Sequence, residues 1–244
     1  MHKTRLRLAA AALPALLLAA ACSSSSDAPD STKAPDGTAT VLSGKAPLTT
    51  AQLSKALVTD SDVPGWTIQP SQTADSSDTS TLTADKPACQ PLADITSSNP
   101  TIHRMAFIGA AFAKTTATTS ATPDVINQML VASHAPGDAK KVIDSVRTAL
   151  AGCTSFTATD STGTKTPFTI SKGPAVPTGD ASVSYLMTDT ADKKTGAALV
   201  AVVQTGDTVT AYLSVKSSGG AGPLPIDVAR KQSEKLKAAL AARK

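Results

Sequence analysis

Aromatic residues are scarce in this 244-residue chain, with one Trp, two Tyr and four Phe, all between Trp66 and Tyr212. Any core must therefore be built mainly from Ala, Val, Leu and Ile. Glutamate is almost missing too, since Glu234 is the only Glu among 19 acidic residues. That removes the distal Glu an EF-hand needs, so Asp60-Ser61-Asp62 reads as a helix end and not as a calcium loop. No G-x-S-x-G occurs, which leaves the many serines without a nucleophile elbow. Lys194-Thr195-Gly196 matches one motif of the penicillin-binding proteins, but no Ser-x-x-Lys accompanies it, and it reads as a loop. Ser217–Gly222 is glycine-rich without a Walker pattern. Beyond His2 the only histidines are His103 and His134, too few for a zinc site without distant ligands. These absences exclude the common hydrolase, phosphate-binding and metal-dependent classes, and no catalytic residue, metal or cofactor is assigned.

Long apolar runs are also missing, except one. Leu8 to Ala21, broken only by Pro14, follows the basic start His2, Lys3, Arg5 and Arg7. It is short for a membrane span and ends in Ala19-Ala20-Ala21-Cys22, as a cleavable export segment does. A cysteine directly after small residues is the site of diacylglycerol attachment in lipoproteins, so residues 1–21 read as a lipoprotein signal and Cys22 as the lipid anchor. The lipobox prefers Leu where Ala19 stands. The expected location is the extracytoplasmic face of the cell membrane, held there by lipid.

Removing the signal takes Lys3, Arg5 and Arg7, so the 23 basic residues fall to 20 against 19 acidic ones. The mature chain is close to neutral, and its basic pI is no argument for nucleic acid. From Val228 to Lys244, six basic residues face Glu234 alone. Such a segment reads as a solvated helix face whose charges suit its C-terminal end, with anionic lipid headgroups as the alternative contact. With Cys22 lipidated, Cys89 and Cys153 remain, and two cysteines outside the cytoplasm are expected to pair.

Residues 22–47 are rich in Ser, Thr, Asp, Pro and Gly and too poor in apolar residues to order themselves. They read as a tether holding the domain roughly 25–30 Å from its anchor. Residues 48–244 are enough for one domain with a real core.

Thr49 or Thr50 caps a first helix with Leu53, Ala56 and Leu57 on its apolar face. Asp62-Val63-Pro64-Gly65 stops it, and Trp66-Thr67-Ile68 opens a strand. Ser71 to Ala84 reads as a loop, and Pro87 starts a second short helix carrying Cys89, Leu92 and Ile95. Arg104–Lys114 alternates, with Phe107 and Ala111 on one face and Ile108, Ala110 and Phe112 on the other. A Thr-rich loop leads to a strand over Val125–His134. A helix after Pro136-Gly137-Asp138 buries Val142, Ile143, Val146 and Leu150, with Gly152 as its expected cap. Strands follow at Ser155–Thr159, Thr166–Ser171 and Ser182–Thr188. A hairpin then joins Ala197–Gln204 to Thr208–Val215, with Val209, Ala211, Leu213 and Val215 expected on the buried face. A terminal helix from Pro225 to Ala242 buries Ile226, Ala229, Ser233, Leu236 and Leu240. The class is α+β, a twisted antiparallel sheet backed by helices.

The Ala51–Trp66 segment (AQLSKALVTDSDVPGW), Cys89 three residues before Leu92, and the Leu150-Ala151-Gly152-Cys153 step carry a family likeness. With the closing hairpin and helix, they resemble the extracellular sensor domains of mycobacterial serine/threonine kinases of the PknH kind, across most of Leu48–Ala242. Two disulfides hold such domains, whereas this chain can form one. The resemblance implies a twisted antiparallel sheet backed by helices, with a ligand-binding cleft and no catalytic residues. Thr, Ser and Ala richness suits an exported actinobacterial protein.

Ile108-Gly109-Ala110-Ala111 offers little side-chain bulk, so a groove over that strand is the candidate ligand site, with Trp66, Phe107 and Phe112 as its aromatic lining. The first functional reading is a non-enzymatic ligand-binding or sensor-like lipoprotein whose ligand is a small molecule or an envelope protein. A lipid carrier, which needs a deep apolar cavity, and an accessory partner of a cell-envelope complex, which needs a flat patch, are the alternatives.

Overall fold

A computed structural model of the chain describes residues 45–71, 81–115, 123–192 and 196–243. Cys22, nearly all of the tether, the Thr-rich loop at 116–122, and Lys194 with Thr195 lie outside them. Among the described residues no helix is long and apolar enough to cross a membrane.

Helix α1 (Thr50–Ala56) begins as its sequence dictates. Thr49 caps it, accepting from the Gln52 amide while the Gln52 side chain accepts from the Thr49 amide, a reciprocal capping box. Strand β1 (Trp66–Ser71) follows, then the short β2 (Thr83–Ala84) inside the expected loop. A 3₁₀ turn (Pro87–Cys89) leads into α2 (Gln90–Thr96), and β3 (Ala106–Lys114) and β4 (Val125–Ser133) into α3 (Asp138–Gly152). Then come β5 (Ser155–Thr159), β6 (Lys165–Lys172), β7 (Ala181–Asp189), β8 (Ala197–Thr205), β9 (Thr208–Lys216) and α4 (Ile226–Ala241). The nine described strands form one sheet in the order β1-β3-β4-β9-β8-β7-β6-β5-β2, and every pairing is antiparallel. The disulfide Cys89–Cys153 closes 64 residues, joining the 3₁₀ turn to the end of α3.

Helices cover the sheet from both sides, but on different halves. Helices α1 and α4 lie over β1, β3, β4, β8 and β9, where Leu53, Val228 and Leu236 meet Ile68, Ile108, Met129, Ala201 and Tyr212. Helices α2 and α3 lie on the opposite face over β5 to β9, where Leu92, Ile143 and Val146 meet Phe156, Ile170, Tyr185, Val202 and Val209. On that second face the β1-β3-β4 half of the sheet carries no helix.

Two local expectations change. Gly152 is the last residue of α3 and has no positive φ; Cys153 supplies the cap, its amide donating to Ala149 O. In β9 the buried row is Thr208, Thr210, Tyr212 and Ser214; of the expected row Val209 is buried too, against the core under α3, whereas Ala211, Leu213 and Val215 are only half-buried. Polar residues tolerate that burial because partners meet them. The Thr208 hydroxyl donates to Thr205 O at 2.6 Å, and Ser214 donates to Asn127 Oδ1 at 2.7 Å, which offsets the cost of desolvation. Apolarity alone therefore points to the wrong side of this strand.

At the basic end of the chain three cations meet acidic partners on other elements. Lys235 pairs with Asp62 at 2.6 Å, Lys237 with Asp180 at 3.2 Å and Arg243 with Asp207 at 3.2 Å. The Lys235 contact, with help from Thr59, holds the Asp62 carboxyl down to about 2. These aspartates sit in turns, so α4 docks by neutralising turn residues that its own charges match.

Candidate functional site: a groove on the open half of the sheet

Register places Phe107, Gly109 and Ala111 of β3 opposite Ala132, Leu130 and Gln128 of β4, and those opposite Val209, Ala211 and Leu213 of β9. Residues opposed in this way share one face of a sheet. They share the face on which α2 and α3 pack; Val209 is buried in that core, and beyond it, among the described residues, the β3-β4 side of the face has no helix over it. A groove of about 420 Å³ runs across it, with Gly109, Ala111 and Ala211 as a floor of small residues. Phe107, Leu130 and Leu213 add apolar bulk, and the end of α2 from Ile95 to Ser98 forms a wall. The volume lies within the range of small-molecule sites. A Cβ at Gly109 would lie 2.3 Å from Ser71 Oγ, a hydroxyl that rotates away to make room.

Phe107 is thus in the groove, as expected, but Trp66 and Phe112 are not. Side chains alternate along a strand, so positions 107 and 112 face opposite ways. Trp66 and Phe112 lie within the core under α1 and α4, in an edge-on ladder with Tyr212 at centroid separations of 6.0 and 6.4 Å. The Trp66 indole N–H donates to Asp227 Oδ2 at 2.9 Å, which satisfies the one polar atom of a buried ring. Leu130, Ala211 and Leu213 complete the groove. They escape a reading of β3 alone because they come from strands its neighbours contribute.

Arg104 closes the α2 end of the groove. Its Nη1 donates to Ser97 O at 2.8 Å, and its Nη2 to Asp94 O at 3.2 Å and Ile95 O at 3.3 Å. The guanidinium therefore caps the free carbonyls at the C-terminus of α2. Its burial lowers its proton affinity, a cost that the field of Asp94 partly offsets.

His134 lies behind Arg104, beside a small pocket of about 30 Å³. The two histidines do not form a pair of ligands. His134 is buried and its Nδ1 lies 3.0 Å from the backbone oxygen of His103, whereas the His103 ring is exposed. A carbonyl can only accept, so Nδ1 carries the proton. Among the described residues no cluster of three His, Cys, Asp or Glu is placed to hold a metal ion. Burial pushes the His134 pKa down; Arg104 adds to that, while the His103 carbonyl and Asp138 oppose it. The unfolded chain then takes up a proton at this ring below about pH 6.5, while the folded state does so only at lower pH. Stability is full above that value and declines as pH falls through it, by up to about 1 kcal/mol per pH unit. Urea unfolding of the wild type should show this decline between about pH 7 and 5, and His134→Asn should flatten it.

The family model described as the PknH-like extracellular domain matches residues 47–235. The chain belongs to this family. The crystal structure of the extracellular domain of PknH from Mycobacterium tuberculosis matches this PknH-like domain with a TM-score of 0.52 at 15% identity, over 81% of this chain and 99% of that one. At that identity the likeness speaks to the fold. A Mycobacterium smegmatis protein, the Rv0999 ortholog, aligns at 12% identity over 80% of this chain and 94% of that one, with a TM-score of 0.26. No curated protein sequence matches. As a PknH-like extracellular domain, the chain has the extracytoplasmic setting and α+β sheet that the sequence implied.

Proposed function

We propose that this protein is a lipid-anchored extracytoplasmic receptor, non-enzymatic, whose PknH-like domain binds a small ligand in the groove on the open half of its sheet. The observation that carries the reading is the floor of Gly109, Ala111 and Ala211 on the open side of the face, beside half-buried Phe107, Leu130 and Leu213. Large side chains there would fill the space, and apolar walls around a vacant strip are what small-molecule sites share. The carrier reading is weaker, because a carrier needs a deep enclosed cavity and the groove is an open trough on the face of the sheet. Anchoring rests on Cys22 after Ala19-Ala20-Ala21.

Export of the wild type and of Cys22→Ser tests both parts. The wild type should fractionate with membranes and carry a diacylglycerol mass on Cys22, while Cys22→Ser should appear in the medium; an unchanged distribution would reject the anchor. Native mass spectrometry of the secreted Cys22→Ser chain should then show a discrete extra mass released on denaturation. Ala111→Phe, which puts a ring across the floor in a strand that favours aromatics, should cut that occupancy by about tenfold or more. Occupancy unaffected by Ala111→Phe would move the ligand out of this groove.

A further inference from the structure

We infer that the ligand of the groove is an apolar molecule ending in a carboxylate, with the anion held by Arg104 and the body lying along Phe107, Ala111 and Leu213. This rests on the groove being the binding site. Three observations converge on Arg104. Its side chain lines the groove, is half-buried there, and has its proton affinity lowered by that burial. Among the described residues no carboxylate forms an ion pair with it. Asp94, whose field reaches the guanidinium, has its oxygens bonded elsewhere, accepting from Gln90 Nε2 at 2.7 Å and from the Thr101 amide at 3.1 Å.

What holds the guanidinium is three backbone carbonyls of α2, bonded to Nη1 and Nη2. Carbonyl oxygens orient a cation without cancelling its charge. Five N–H groups radiate from a guanidinium, and among the described residues the Nε–H has no bonded partner. A full positive charge, fixed in direction by α2 and partly desolvated, thus stands at one end of an apolar trough. A carboxylate matches the planar fork of Arg in two-point geometry, and in a partly desolvated groove such a contact is stronger than in bulk water. Arg104 would then be both the cap of α2 and the determinant of ligand charge.

The probe pair that separates charge from apolar burial is octanoate and 1-octanol, which share a chain and differ in the head. Calorimetric titration would use the full chain carrying Cys22→Ser, at about pH 7.5, where the carboxylate is ionised. Octanoate is expected to bind at least about tenfold more tightly than octanol, with acetate giving no saturable signal over the same range. Arg104→Gln should bring octanoate to the level of octanol, and Ala111→Phe should abolish both. Because Arg104 caps α2, each variant is first checked by thermal melting. Should Arg104→Gln fail to fold, Arg104→Lys is used, which keeps the charge without the fork and should weaken octanoate alone. Equal binding of octanoate and octanol, both lost in Ala111→Phe, would overturn the anion assignment and leave the groove as a site. Octanoate binding undiminished in a folded Arg104 variant would overturn it as well. If neither probe binds, the carboxylate assignment fails, while the released mass from the native protein still decides whether the groove is occupied.

Discussion

Replacing Cys89 and Cys153 together by alanine is expected to cost up to about 4 kcal/mol of folding free energy, because the bond closes a long loop. That loop spans 64 residues and contains α2, β3, β4 and α3. The bond joins the 3₁₀ turn before α2 to the point where α3 meets β5, beside Leu92, Val146 and Phe156 in the core on that side of the sheet. Without it, α2 is held by its packing, by Arg104, by Gln90 bonded to the Leu82 and Ala84 backbone, and by the Tyr185 hydroxyl donating to Leu92 O. For a domain of this size a 4 kcal/mol loss lowers Tm by roughly 8–16 °C. Thermal melts of the wild type with and without reductant, set beside the double variant, measure it. A melting point that neither treatment moves would mean the bond contributes nothing to stability.

Gln232→Leu is expected to destabilise the fold by roughly 2–5 kcal/mol, although leucine is the more apolar residue and the site is fully buried. The Gln232 amide spans from α4 to the end of α1. Its Oε1 accepts from the Val58 amide at 2.9 Å, and its Nε2 donates to Ala56 O at 3.0 Å. These are backbone groups at a helix C-terminus that α1 cannot satisfy internally. Leucine would leave both unpaired in a dry interface, each at the cost of a desolvated polar group. Val58 and Gln232 are buried together in the packing of α1 against α4, which gives water no route to replace the amide. The urea midpoint should fall with little change in the slope. A midpoint equal to the wild type would show that the interface relaxes enough to rescue both groups.

Gln232 also shows where local pattern stops informing. Ile226, Ala229, Ser233 and Leu236 follow the helical period and are legible on the α4 face, but a glutamine between them reads as solvent-facing until α1 is placed beside it. The same holds for β9. Alternation correctly separates its two faces, yet apolarity chooses Ala211 and Leu213 as the inner row. The fold buries Thr208, Thr210 and Ser214 instead, because Asn127 of β4 and the hairpin backbone offer them partners. Alternation along β3 likewise puts Phe107 and Phe112 on opposite faces, so a single site lined by both rings conflicts with the strand's own period.

What the sequence determined by itself is what short-range chemistry decides. The capping pair Thr49 and Gln52, the Pro87 start, the positive-φ Gly137 before α3, the hairpin at Gly206 and the strand alternation of β3 all act within a few residues. The two cysteines available to pair, and the small residues at 109 to 111, are legible for the same reason. Only the tertiary structure decided that α2 and α3 cover one half of the sheet while α1 and α4 cover the other. That placement comes from the strand order, in which β9 stands beside β4 and carries the second half of the chain across to the far edge. A bare half-face, a trough made from three strands and an arginine held at its end by the carbonyls of α2 follow from it. None is a property of any segment, because each depends on which distant residues the sheet brings into register.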